Sequence, residues 1–111
     1  IYYERRNRRG SRYSNYFVIP LFEVLTLKRS LRKALGERVV VRKERELFLF
    51  KNARIHLDRV ARLGAFLEFE VVVRHGRKQS EELLRFLKRE FGVRLDSVVA
   101  GSYSDMLLRE L

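Results

Sequence analysis

Apolar and polar residues alternate with a two-residue period through three stretches in the middle of this chain. That is the period of a β-strand, whose successive side chains take opposite faces. The first stretch, about 38–49, places Val39, Val41, Lys43, Arg45 and Leu47 on one face. The second, 53–60, sets Arg54, His56 and Asp58 against Ile55 and Leu57. The third, 65–74, sets Phe66, Glu68, Glu70 and Val72 against Leu67, Phe69, Val71 and Val73. Lys51 and Asn52 read as a tight hairpin connection between the first two, and Arg62 to Gly64 join the second to the third.

Elsewhere the spacing becomes helical. Leu21, Val24, Leu25, Leu27, Leu31 and Leu35 predict a helix over 21–35, with Arg32 and Lys33 in its last turn and Gly36 as its stop. Ser80 reads as an N-cap for a second helix. Glu81 and Glu82 favour the positive end of its dipole, Leu83, Leu84, Leu87 and Phe91 form its stripe, and Gly92 ends it. His75 to Arg77 read as a loop, and 93–99 as a short apolar piece. Gly101 to Asp105 open a terminal helix carrying Met106, Leu107 and Leu108. Towards the N-terminus, 1–6 and Tyr16 to Ile19 read as strands separated by a polar turn around Gly10, with Pro20 closing the second. The order of strands, helix, strands, helix, helix predicts one α+β domain over 1–111, built on an antiparallel sheet.

At 46% apolar and 12% aromatic the chain has the composition of a folded protein. It has no cysteine, which excludes disulfides, thiolate metal sites and a cysteine nucleophile. No apolar run approaches the roughly 20 residues of a membrane span. The apolar stretch from Tyr16 to Leu27 is interrupted by Pro20 and Glu23 and is neither signal peptide nor anchor. A cytoplasmic protein with no membrane partner is expected. The net charge of +11 favours an anionic partner, and five arginines fall within the first twelve residues. The chain starts at Ile1, without methionine and in strand-like sequence, so an N-terminal truncation is expected.

The charges on the strand faces bring in the chemistry. Glu68 and Glu70, two residues apart on one face, converge on a point where a hard divalent cation, Mg2+ or Mn2+, can be held. Lys43 and Arg45 form a basic strand face, with Arg54 and Arg5 as further cationic positions suited to phosphate oxygens. A polyanion bound together with its metal follows from this pattern. Ordinary cross-strand pairing of the same charges is the plainer alternative, with Asp58 in a salt bridge to a neighbour.

Residues 54–70, RIHLDRVARLGAFLEFE, resemble the signature of the CYTH family, the triphosphate tunnel metalloenzymes, which include class IV adenylate cyclases and thiamine triphosphatases. Val41 to Arg45 resemble its basic strand, and Gly101 to Leu107 its closing segment. Tyr2 to Arg5 with Ser14 to Tyr16 resemble an earlier strand pair of the cyclase-like branch. The resemblance implies an eight-stranded antiparallel barrel with a polar bore and helices packed outside. It makes Glu68 and Glu70 metal ligands, and Lys43, Arg45, Arg54 and, more weakly, Arg5 triphosphate contacts. Asp58 would be an acidic site residue that reaches a metal or orients a basic neighbour, while His56 shares the bore-facing side without a catalytic duty. Two departures stand out. The family's N-terminal Glu-x-Glu-x-Lys strand is absent, because Glu44 and Glu46, the other Glu-x-Glu pair, face away from Lys43 and Arg45. Arg6 and Asn7 stand where the cyclase-like branch tends to have proline and aspartate. A barrel lacking that first strand is open and short of half its metal ligands.

The resemblance implies a divalent-metal-dependent domain that binds inorganic triphosphate, ATP or thiamine triphosphate, and hydrolyses triphosphates in its complete form. Cyclisation of ATP to cyclic AMP is the alternative within the family, and a non-catalytic basic polyanion or nucleic-acid module the alternative outside it. Sequence-specific nucleic-acid binding is not expected. Self-association into a homodimer through open sheet edges is a further expectation.

Overall fold

Residues 2–4 and 12–110 are described by a computed structural model. The elements in chain order are β1 (Tyr2–Glu4), β2 (Asn15–Phe17), α1 (Val24–Leu35), β3 (Lys43–Phe50), β4 (Ala53–Val60), β5 (Gly64–Val71), α2 (Gly76–Glu90) and α3 (Tyr103–Arg109). They fall into two compact units, one of residues 41–98 and the other of residues 1–40 with 99–111.

In the first unit the alternating stretches pair as a continuous antiparallel meander in the order β3-β4-β5. Two short connections fix the register. Lys51 takes a left-handed φ of 52° in the first turn. Arg62 (φ 73°) and Gly64 (φ 106°) do so in the second, where glycine carries no side-chain penalty. β3 begins at Lys43 rather than near 38, and β5 stops at Val71 rather than 74, so Val39, Val41 and Val73 lie outside the ladders.

Part of the apolar face of this sheet is covered by α2, while Phe48, Leu57 and Leu67 on that face stay exposed. Ala53 and Ile55 of β4 pack with Leu83 and Leu87 of the helix, and Phe69 and Val71 of β5 flank them. Phe50 stacks on Phe86 at 5.9 Å, and Phe69 meets Phe91 edge-on at 5.3 Å. The amides of Asn52 and Gln79 bond each other reciprocally at 3.0 Å, tying the first turn to the start of the helix. α2 starts at Gly76, four residues before the expected N-cap. Ser80 is inside the helix and buried, and its hydroxyl donates to the Gly76 carbonyl at 3.1 Å, so a serine that resembles a cap is satisfied one turn back. The helix ends as expected at Gly92 (φ 63°), where the Gly92 and Val93 amides donate to the Arg89 and Lys88 carbonyls at 3.1 and 2.8 Å.

In the second unit β1 and β2 pair antiparallel. α1 begins at Val24 rather than 21 and ends on Gly36, whose amide donates to the Arg32 carbonyl at 2.9 Å. α3 opens with a capping box in which Ser102 and Asp105 satisfy each other's backbone amides.

The described architecture is therefore α+β, as expected, with a three-stranded antiparallel sheet and three helices. The described strands do not close into a barrel. β3 and β5 are both edges of their sheet, and the β1–β2 ladder is a separate one. No helix among the described residues is long and apolar enough to cross a membrane.

Candidate metal and anion site

The pairing register lays the charged residues out in rows across the sheet face opposite α2. The first row across the sheet is Lys43, Val60 and Gly64, and the second is Arg45, Asp58 and Phe66. The next row is Leu47, His56 and Glu68, and the last is Leu49, Arg54 and Glu70. Because the side-chain period is two, every charge of this set lands on one face, and Glu44 and Glu46 land on the other.

Arg45 and Asp58 form the tightest pair. Arg45 Nε and Nη2 donate to the two carboxylate oxygens of Asp58, each at 2.6 Å, and the Asp58 side chain has no exposed surface. A planar guanidinium matched to a carboxylate in this fork is among the stronger polar contacts available to a protein. Arg45 Nη2 also lies 3.6 Å from Glu68 Oε2, and Arg54 Nη1 lies 3.4 Å from Glu70 Oε1.

Beside these pairs, His56, Glu68 and Glu70 bring three donor atoms within 4.8 Å of one another. His56 is 5% exposed, and neither ring nitrogen has a hydrogen-bond partner. Its Nε2 faces Glu70 Oε2 at 3.9 Å, beyond hydrogen-bond distance. Burial lowers the His56 pKa below 6.5, and the Arg45 charge lowers it further, against the raising influence of Glu68, Glu70 and Asp58. The imidazole is therefore neutral at pH 7, buried and unsatisfied, a condition that ordinarily costs about 1–3 kcal/mol.

The structure brings Glu68 and Glu70 together and sets Arg54 beside Glu70. It places Asp58 against Arg45 and outside the His56, Glu68 and Glu70 group. Lys43 stands two rows from His56. Arg5 lies outside the described residues. The residue that sequence reasoning undervalued is His56. Its alternation with Arg54 and Asp58 already placed it on the charged face, but only the β4–β5 register sets it in the row of Glu68, one row from Glu70. Compared with known proteins, the chain matches no family model, no curated protein and no solved structure.

Proposed function

We propose that the charged sheet face binds a triphosphate together with a divalent cation, Mg2+ or Mn2+, and that the complete domain hydrolyses inorganic or organic triphosphates. The observation that supports this most is the juxtaposition of Glu68 and Glu70 with a strip of cations on the same face. From the Lys43 row to the Arg54 row the strip runs three steps, roughly 20 Å at about 3.4 Å per residue. An extended line of cations suits a linear polyphosphate better than a single phosphate group. Lys43, Arg45 and Arg54 neutralise phosphate oxygens and hold the chain extended. Glu68 and Glu70 hold the cation, and Asp58 is a positioning residue that fixes the guanidinium plane of Arg45. A bound cation supplies charge neutralisation at the phosphoryl group. Phosphoryl transfer needs chiefly positioning and charge stabilisation, so a site without a covalent nucleophile is sufficient. A tunnel-type barrel belongs to the same reading, with further strands added at the β3 and β5 edges.

The net charge of +11 favours a second reading, a polyanion-binding module without turnover. Thermal unfolding with inorganic triphosphate, with and without Mn2+, separates the two. Triphosphate at about 100 times its dissociation constant should add roughly 2.7 kcal/mol to stability in the presence of metal. Glu68→Gln should remove that gain while leaving metal-free stability within about 0.5 kcal/mol, since the side chain is half exposed. A gain indifferent to metal and erased by salt would instead establish the polyanion module. Release of cyclic AMP from ATP would identify a cyclase.

A further inference from the structure

We propose that His56 is a direct ligand, with Glu68 and Glu70, of a first-row transition cation of the manganese or zinc type, and that the site discriminates against magnesium. This deepens the reading above by naming the metal class. It shares the two glutamates with that reading but does not depend on triphosphate.

The donor set carries the inference. Magnesium favours six oxygens in a near-ideal octahedron and keeps much of its water, whereas imidazole nitrogen suits manganese, cobalt and zinc increasingly well. His56 is committed to this place: it is 5% exposed, both ring nitrogens lack hydrogen-bond partners, and Nε2 is aimed at Glu70 Oε2 from 3.9 Å. A buried imidazole in that condition is expected to have something to bind.

The geometry needs only a small closure. Two donors each about 2.1 Å from one cation can be no more than about 4.2 Å apart. The three donors already lie within 4.8 Å, and Glu68, with a side chain 50% exposed, has room to swing. The surrounding cations fit as outer partners. Arg54 engages Oε1 of Glu70 while Oε2 faces His56, and Arg45 stands by Glu68, an arrangement that orients both carboxylates. Three protein donors leave positions open for water or an anionic oxygen, as in sites that do chemistry rather than only staple a fold.

The test uses the whole chain, stripped of metal by chelation and titrated with Co2+ alone. Proton NMR reads the two histidines separately, and His75, exposed in the loop before α2, is the internal control. The expected result is one bound Co2+ that displaces the His56 ring signals far from their usual range, leaves those of His75 in place, and is expelled by Mn2+ or Zn2+ but not by a large excess of Mg2+. His56→Gln should weaken Zn2+ binding by about tenfold or more, because losing even an outer partner of a metal ligand costs that much. Unmoved His56 signals, absence of Co2+ uptake, or displacement by Mg2+ at parity would overturn the proposal. Should His56→Gln fail to fold, the ring signals of the unaltered chain still decide. Triphosphate stabilisation supported by Mg2+ with His56 silent would remove the nitrogen ligand alone. A His56-bound Co2+ with no response to triphosphate would remove the triphosphate reading alone.

Discussion

Two pairs of residues on opposite faces of β4 are withdrawn from water to a similar degree and by opposite means. On one, Ala53 and Ile55 are 1% and 8% exposed beneath Leu83 and Leu87. On the other, His56 and Asp58 are 5% and 2% exposed among charges. Burial of the first pair is itself stabilising, since apolar surface leaves water. Burial of the second pair is costly and has to be offset by specific contacts. Asp58 receives that offset from the Arg45 fork, whereas neither ring nitrogen of His56 has a hydrogen-bond partner. One face secures the fold; the other gives up stability at a single residue, and the proposed metal site would relieve that deficit.

The largest effect that should separate the faces is Leu87→Ala. Leu87 is 2% exposed, and truncation should cost about 3 kcal/mol, measured by urea denaturation, without altering metal affinity of the folded fraction. A changed affinity would show that the faces are not independent. Arg45→Met comes next. It takes two donors from a carboxylate with no exposed surface, and because the arginine is itself 30% exposed the cost should be about 2 kcal/mol rather than the larger figure of a fully buried pair. A neutral outcome would mean that Asp58 is held by other means and that the charged face is less costly than described.

The smallest effect concerns pH in the metal-free chain. Around His56, Arg45 disfavours protonation, and Glu68, Glu70 and Asp58 favour it, but burial dominates and the folded pKa is lowered. The folded chain therefore binds fewer protons than the unfolded chain across the window from that lowered value up to 6.5. The contribution of His56 to stability is complete above the window and is lost as pH falls through it. The urea midpoint should drop from above the window to below it in the parent chain, and drop less in His56→Gln. Equal slopes in the two would remove His56 as the titrating group.

Much of this was legible in the sequence because the period of two is unforgiving. β4 has the expected bounds, and the tight turn at Lys51 and Asn52 nearly dictates that Arg45 meets Asp58. The start of α2 was misread because serine suits both a cap and an interior position whose hydroxyl bonds back one turn. The unpartnered ring of His56 was hidden for a different reason. Alternation says which face a side chain takes, but whether its nitrogens find partners depends on side-chain geometry that no pattern encodes.

The meander has one more consequence. Every described member of the candidate site, from Lys43 to Glu70, comes from three consecutive strands joined by short turns. Loop-closure entropy is small for such neighbours, and topologies dominated by local contacts fold fast. The cluster can thus be assembled early, by a hairpin zipping onto a hairpin, before more distant parts of the chain have met.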